Sequence, residues 1–287
     1  MIDIGVNLLH PQFDADRDAV LARAAAAGVR QLIVTGTDLD TSAAAVEYCR
    51  RHDARSTDHG VRLHCTAGIH PHDAGSAPPG WRTRITDLAR APEVVAVGET
   101  GLDFFRNLSR REIQIEVFRA QLALARRLGK PLFVHDRDAA DAVSTALLDV
   151  LGDPALPGRL AADAPPVVVH CFTGDAGALT RYLNLGCHIG ITGWVCDRRR
   201  GAELYRIAGR IPLDRLLIET DAPFLRPQAD PGQAAAAVPS GRRNEPALLG
   251  AVAATLARAY GGHLSAQSLA RLSAANARRV FRLPLNG

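Results

Sequence analysis

Lysine is all but absent. Lys130 is the one lysine among 287 residues, so nearly all positive charge is arginine. Any anion bound through a positive side chain therefore meets a planar guanidinium fork, which suits phosphate, although codon usage rich in Ala and Arg accounts for the same bias. Cysteine pairing is missing too: residues 49, 65, 171, 187 and 196 are odd in number and contain no CxxC, which argues against a disulfide framework and for reduced thiols. No apolar run approaches the roughly 20 residues that span a bilayer, and MIDIGV enters an apolar strand with no basic leader before it. A cytoplasmic protein without a membrane partner, and a monomer, is expected. There is no internal repeat and no Gly-rich phosphate loop after the first strand, where Asn7, Leu8 and Leu9 follow instead. A hydrophobic share of 47% with 22% charged residues is ordinary for a globular protein and argues against disorder.

What is present is a set of short apolar runs that stop on an acid or a histidine: VVAVGE at Glu99, LFVH at His135, VVVH at His170 and LLIETD at Asp221. Rich in Val, Ile and Leu and flanked by helical stretches, each reads as a parallel strand buried on both faces. Glu99, His135 and His170 are spaced by 36 and 35 residues, about one strand-helix unit each, and the 51 residues to Asp221 leave room for one more strand, HIGITGW. Helices are predicted over 16–27, 40–52, 81–91, 109–128, 139–151, 177–185, 245–260 and 265–281, with Ser109 and Glu112 as a capping box and Gly28 and Gly129 as stops. Eight strands, each followed by at least one helix, predict an α/β fold of the (β/α)8 TIM-barrel type as a single domain over 1–287. A doubly wound open sheet is the alternative.

Parallel strands of such a barrel end on one rim, so the four polar termini are expected to converge into a divalent-metal site with hydrolytic potential. Glu99, His135, His170 and Asp221 are the candidate ligands, with Asp221 also able to take a proton from the attacking water. Glu99 sits in GETGLD, where Gly98 and Gly101 permit close approach of the backbone to whatever the carboxylate binds. A single buried histidine is more often a core residue, and a single glutamate at a strand end more often a salt bridge. Two histidines at corresponding points of successive units, one unit after Glu99, shift the balance towards ligation. His70 and His72 in GIHPHD fall on one side of an extended segment; they could bind a second metal, orient a phosphate or pack in the loop. His188 is expected to be structural.

The motifs AGIHPHD, VAVGETGLDF, GKPLFVHDRDA, VVVHCFTGD, HIGITGWV and LIETDAPFL resemble, in order and across nearly the whole chain, the TatD family of metal-dependent nucleases, and DIGVNL, ITGWVCDRRRG and SGRRNEPA resemble the subgroup that gives the family its name. The resemblance implies an amidohydrolase-like barrel that hydrolyses phosphodiester bonds with a divalent cation, usually Mg2+ or Mn2+. For that subgroup it implies 3'-5' exonuclease action on single-stranded DNA and RNA and a role in repair of oxidative DNA damage. It carries metal ligation onto Glu99, His135 and His170, and proton acceptance or further ligation onto Asp221. Most barrel relatives open with His-x-His on strand one; here Gly5 and Asn7 stand in those places, as the subgroup's loss of the pair implies, so one or two ions are expected, with Asn7 holding water through its amide oxygen.

On ligand chemistry alone two imidazoles favour Mn2+ or Zn2+, while the resemblance favours Mg2+. His70, His72 and Arg137 are expected to meet phosphate oxygens. A single-stranded substrate needs a stacking surface beside positive charge, for which Trp194, Arg242 and Arg243 are the candidates, among other aromatics at 104, 105 and 172 and arginines at 106 and 198–200. A small-molecule amidohydrolase and an aminoacyl-tRNA deacylase are the rival readings on the same barrel.

Overall fold

The computed structural model describes residues 1–54, 60–228 and 241–284. Strands and helices alternate: β1 (Ile2–Val6), α1 (Arg17–Ala26), β2 (Gln31–Val34), α2 (Leu39–Ala54), β3 (Arg62–Ala67), α3 (Trp81–Ala89), β4 (Val94–Asp103), α4 (Arg111–Leu128), β5 (Leu132–Arg137), α5 (Ala140–Leu151), β6 (Val167–Val169), α6 (Ala176–Asn184), β7 (His188–Ile191), α7 (Ala202–Ala208) and β8 (Leu216–Ile218), then α8 (Leu249–Ala259) and α9 (Ala266–Phe281). The strands form one sheet in the order β1 through β8, with parallel pairing. A parallel bridge from Val6 to Ala222 joins β1 to the chain leaving β8. A sequential parallel order that returns to its own first strand is that of a (β/α)8 barrel, the fold expected from the apolar runs.

Backbone contacts group the chain into two compact units, one built from Met1–Val34, Cys49–His64 and Ile189–Gly287 and the other from Thr35–Tyr48 and Cys65–His188. In the second, Leu132, Phe133 and Val134 of β5 and all of β6 are buried, as continuous apolar runs require. Helix α4 buries Val117, Phe118, Leu122 and Ala125 and ends at Gly129, whose left-handed φ of 61° lets its N–H return to the Ala125 carbonyl. The capping box at its other end does not form. The helix starts at Arg111 without a side-chain cap, because Ser109 is already engaged: its Oγ donates to the His72 carbonyl at 2.8 Å and accepts the Gly75 N–H at 2.9 Å. Those partners tie Ser109 to the loop after β3.

In the first unit β1 is buried throughout, and its Asp3 accepts hydrogen bonds from the Thr220 N–H at 2.9 Å and the Thr220 Oγ1 at 2.5 Å. An ion lattice closes against α1. Arg23 and Arg243 both bind Asp16 and Glu245 at 2.7–3.0 Å, and Glu245 is 1% exposed. Lys130 is half-buried, with its Nζ donating to the carbonyls of Ala91, ahead of β4, and of Val94, the first residue of β4. Among the described residues no cysteine is in a disulfide and no helix is long and apolar enough to cross a membrane.

Candidate active site

Glu99 lies in the middle of β4, not at its end: the strand continues through Gly98 and Gly101 to Asp103. The two glycines have φ of 150° and 139°, and a Cβ at either would stand 2.3 Å from the Phe133 carbonyl oxygen or 2.0 Å from that of His135. Their bareness is therefore required by β5, which crosses at contact distance, and not by a ligand as the sequence reading supposed.

Three imidazole nitrogens meet one oxygen of Glu99. From its Oε1, His170 Nε2 is 2.8 Å away, His135 Nδ1 3.1 Å and His70 Nε2 3.3 Å. Both Glu99 and His170 are buried, and the His170 ring stacks on Phe133 at 4.4 Å. Burial alone would raise the Glu99 carboxyl, but the charge of His170 and His70 and the hydrogen bonds of His135 and His170 outweigh it and hold the group well below its usual range. For His70 burial wins over the attraction of Glu99, pushing the ring down to about 4. Its tautomer follows from the backbone: Nδ1 accepts the His72 N–H at 3.1 Å, so the proton of the neutral ring rests on Nε2 and faces Glu99. His135 goes the other way. Burial opposes its charge, yet the nearby Asp103 carboxylate and the hydrogen bond to Glu99 raise its pKa.

His70 Nε2, Glu99 Oε1 and His135 Nδ1 lie within 4.8 Å of one another, a spacing that one cation could share. Asp103 extends this group. Its Oδ2 is 2.7 Å from His72 Nε2 and 3.5 Å from His135 Nε2, and its Oδ1 accepts the Arg106 N–H at 2.7 Å. Against the effect of burial, these bonds hold its pKa well below the ordinary carboxylate value.

Asp221 follows β8 by three residues, with a left-handed φ of 52°. Its Oδ1 accepts Asn7 Nδ2 at 2.9 Å and its N–H donates to the Gly5 carbonyl at 2.8 Å, so Asn7 presents its amide nitrogen to the carboxylate. Arg137 lies 5.0 Å from the Phe105 ring centroid. Trp194 is covered by Arg200 at 4.7 Å, and Arg200 is itself held by Asp197 at 2.8 Å. Arg242 is exposed. Arg243 is part of the ion lattice and lies over Phe13 at 5.0 Å; the hydrogen bond to Asp16, above all, raises its pKa. His188 is buried at the start of β7. His70 and His72 come together with ring centroids 4.3 Å apart, but on a 3-10 turn, Pro71–Ser76, for which His70 is the N-cap, and not by alternation along an extended segment.

The TatD related DNase family matches residues 2–282. The chain belongs to that family. It is 44% identical over its full length, and that of the relative, to a 3'-5' ssDNA/RNA exonuclease TatD of Klebsiella pneumoniae. Among solved structures, a TatD family hydrolase from Entamoeba histolytica superposes with a TM-score of 0.81 at 25% identity, covering 98% of this chain and 97% of that one. The TatD homologue YjjV of Escherichia coli gives 0.80 at 28% identity, over 99% and 98%.

Three members of this TatD-family site escaped the sequence reading. Asp103 was hidden because two glycines interrupt the apolar run, yet 99, 101 and 103 share a face of one strand. The other two are Gln114 and Gln121 on α4, both buried. Gln114 Oε1 accepts the Asp103 N–H at 2.9 Å. Gln121 pairs with both backbone groups of Ile69, at 2.8 and 3.0 Å, and donates to Thr100 Oγ1 at 2.6 Å. One helix face thus fixes the residues beside His70 and Glu99 together with Asp103. The signal was present: two long amides seven positions apart on the buried face of the longest helix, where apolar residues are the rule.

Proposed function

We propose that this TatD-family protein is a divalent-metal-dependent 3'-5' exonuclease hydrolysing phosphodiester bonds in single-stranded DNA and RNA, the activity named for its 44% identical relative. The observation that carries the reading is the gathering of His70, His135 and His170 on a single oxygen of Glu99. A buried carboxylate kept ionised by imidazoles is a donor set that a cation can take over, and its mix of nitrogen and oxygen suits Mn2+ or Zn2+ as well as the family's Mg2+. Glu99, His135 and His170 would hold the ion, with Asp221 as a further ligand. When bound, such a cation polarises the phosphate and lowers the pKa of water.

The chain's own residues supply the rest. His70, with its proton on Nε2, donates to a non-bridging phosphate oxygen, which fits a phosphate contact better than ligation. Asp103 orients His72 for the same task, and Arg137 adds charge. Asp221, its carboxylate steadied by Asn7, accepts the proton of the water that attacks phosphorus in line as the bond to the leaving 3' oxygen breaks. Trp194 and Arg242 serve the strand beyond the reacting phosphate. A cytoplasmic monomer acting in repair of oxidised DNA is the setting that the family resemblance supports.

The test is end-labelled single-stranded DNA and RNA with metal-stripped protein, then with Mg2+, Mn2+ or Zn2+ restored. Mononucleotides should leave the 3' end only, after metal is returned, and Glu99→Gln should lower the rate by about a thousandfold. Metal-independent cleavage, or equal rates for Glu99→Gln and the wild type, would sink the reading.

A further inference from the structure

The loop from Phe104 to Arg110, between β4 and α4, carries the two most exposed large apolar side chains among the described residues, Phe105 at 63% and Leu108 at 68%. A single exposed hydrophobe is ordinary; two within four residues of one loop call for a reason. The loop is not slack. At its start the Arg106 N–H donates to Asp103 Oδ1 at 2.7 Å and the Phe104 N–H to the Arg137 carbonyl at 2.9 Å. Gln114 ties its two ends together, Nε2 donating to the Asp103 carbonyl at 3.2 Å and to the Ser109 carbonyl at 2.6 Å. Between them Asn107 takes a left-handed φ of 50°, a conformation asparagine tolerates. Guanidiniums steady the rings: Arg137 stands 5.0 Å from the Phe105 centroid and Arg111 4.5 Å from that of Phe104. The exposure of Phe105 and Leu108 is thus built into a braced loop.

From Phe104 to Glu112 the chain has three arginines, Arg106, Arg110 and Arg111, for one acid, and all four are exposed. The occupant that complements this loop has an apolar face and negative charge. Neither side chain of the pair has a hydrogen-bonding group, so what lies there is held by its face and not read at its edge. A nucleobase on its phosphate backbone meets both conditions. The position agrees, because the loop begins at Asp103, whose Oδ2 is 2.7 Å from the imidazole of His72 proposed for phosphate contact. We propose that Phe105 and Leu108 form a platform on which an unpaired base of the strand lies, and that this platform sets the preference for single strands over duplex. The proposal rests on the exonuclease reading and deepens it. In a duplex each base is covered on both faces and paired at its edge, so reaching Phe105 would require it to leave the stack. A single strand does not bear that cost.

Binding is read by fluorescence anisotropy on metal-free protein in chelator, with a labelled single-stranded oligonucleotide, the same backbone built from abasic units, and a blunt duplex of the same sequence. Phe105→Ala should weaken the single strand about tenfold and leave the abasic strand and the duplex unchanged, so the preference for single strands falls by the same factor. Phe105→Trp should retain wild-type affinity, and Leu108→Ala should weaken the single strand roughly threefold. No charge is removed, so the slope of log affinity against log salt should stay as it is. Both positions are exposed, where substitutions seldom disturb folding. Unchanged affinity in Phe105→Ala, equal weakening of the normal and abasic strands, a lowered salt slope, or no saturable binding of the single strand would each overturn the inference. The exonuclease reading is judged apart, by release from the 3' end after metal is restored, and stands or falls on that release whatever Phe105 does.

Discussion

Two charged clusters in this chain are built on opposite principles. Around Glu99, one ionised carboxylate is surrounded by His170, His135 and His70, groups whose neutral rings each carry a nitrogen lone pair able to serve a cation. Around Glu245, Arg23 and Arg243 are held between two carboxylates, and guanidinium neither releases its proton nor coordinates a cation. The first cluster can change partners. The second cannot, and its work is to join α1 to the chain ahead of α8.

The sharpest way to break this contrast is Glu245→Gln. It leaves two partly buried guanidiniums short of a partner and should cost about 3–5 kcal/mol of stability, read by denaturant unfolding, with cleavage per folded molecule unchanged. A large loss of turnover at full stability would mean the lattice is part of the site. Asp3 provides a pH test of the same unit. Burial, against the bonds from Thr220, pushes its carboxyl up to about 8, so between about pH 4 and pH 8 the folded state holds a proton that the unfolded chain has lost. Stability then falls as pH rises across that window, by up to about 1.4 kcal/mol per pH unit, and Asp3→Asn should remove the slope; a slope that persists in the variant refutes the assignment. Gln121→Leu addresses the imidazole cluster. With its bonds to Ile69 and Thr100 gone, turnover should fall about tenfold to a hundredfold, more than the loss of stability accounts for, and a variant with wild-type turnover would show that α4 does not position the site. The smallest effect separates two neighbours: Arg242→Ala should lower the slope of log affinity for single strands against log salt by roughly 1, whereas Arg243→Ala should act mainly on the melting temperature.

The barrel was legible because its signal is repetitive. Apolar runs of strand length recur at the spacing of a strand-helix unit, and Gly129 marks the end of α4 without ambiguity. Glu99, His135 and His170 stood out because each follows a run in which a polar side chain is costly. What lay hidden depends on contacts between segments far apart in the chain. Nothing near Ser109 reveals that the His72 carbonyl and the Gly75 N–H compete for its hydroxyl, so a sound capping motif stayed unused. His70 and His72 meet through a 3-10 turn that alternation does not describe. Asp103 lies past two glycines that look like the end of a strand until β5 is seen to press on both. Arg243 reads as a cation available to nucleic acid, yet Asp16, more than 220 residues earlier, already holds it.

The seclusion of Lys130 has a practical meaning for anyone handling this protein. Burial lowers its pKa and two carbonyls occupy its ammonium, while the α-amino group is likewise bonded, to the Gly28 carbonyl. Amine-directed dyes and cross-linkers thus have almost nothing to seize. Acetylation offers no means of tuning how the surface attracts polyanions, since that attraction resides in arginine and only arginine-directed chemistry can adjust it.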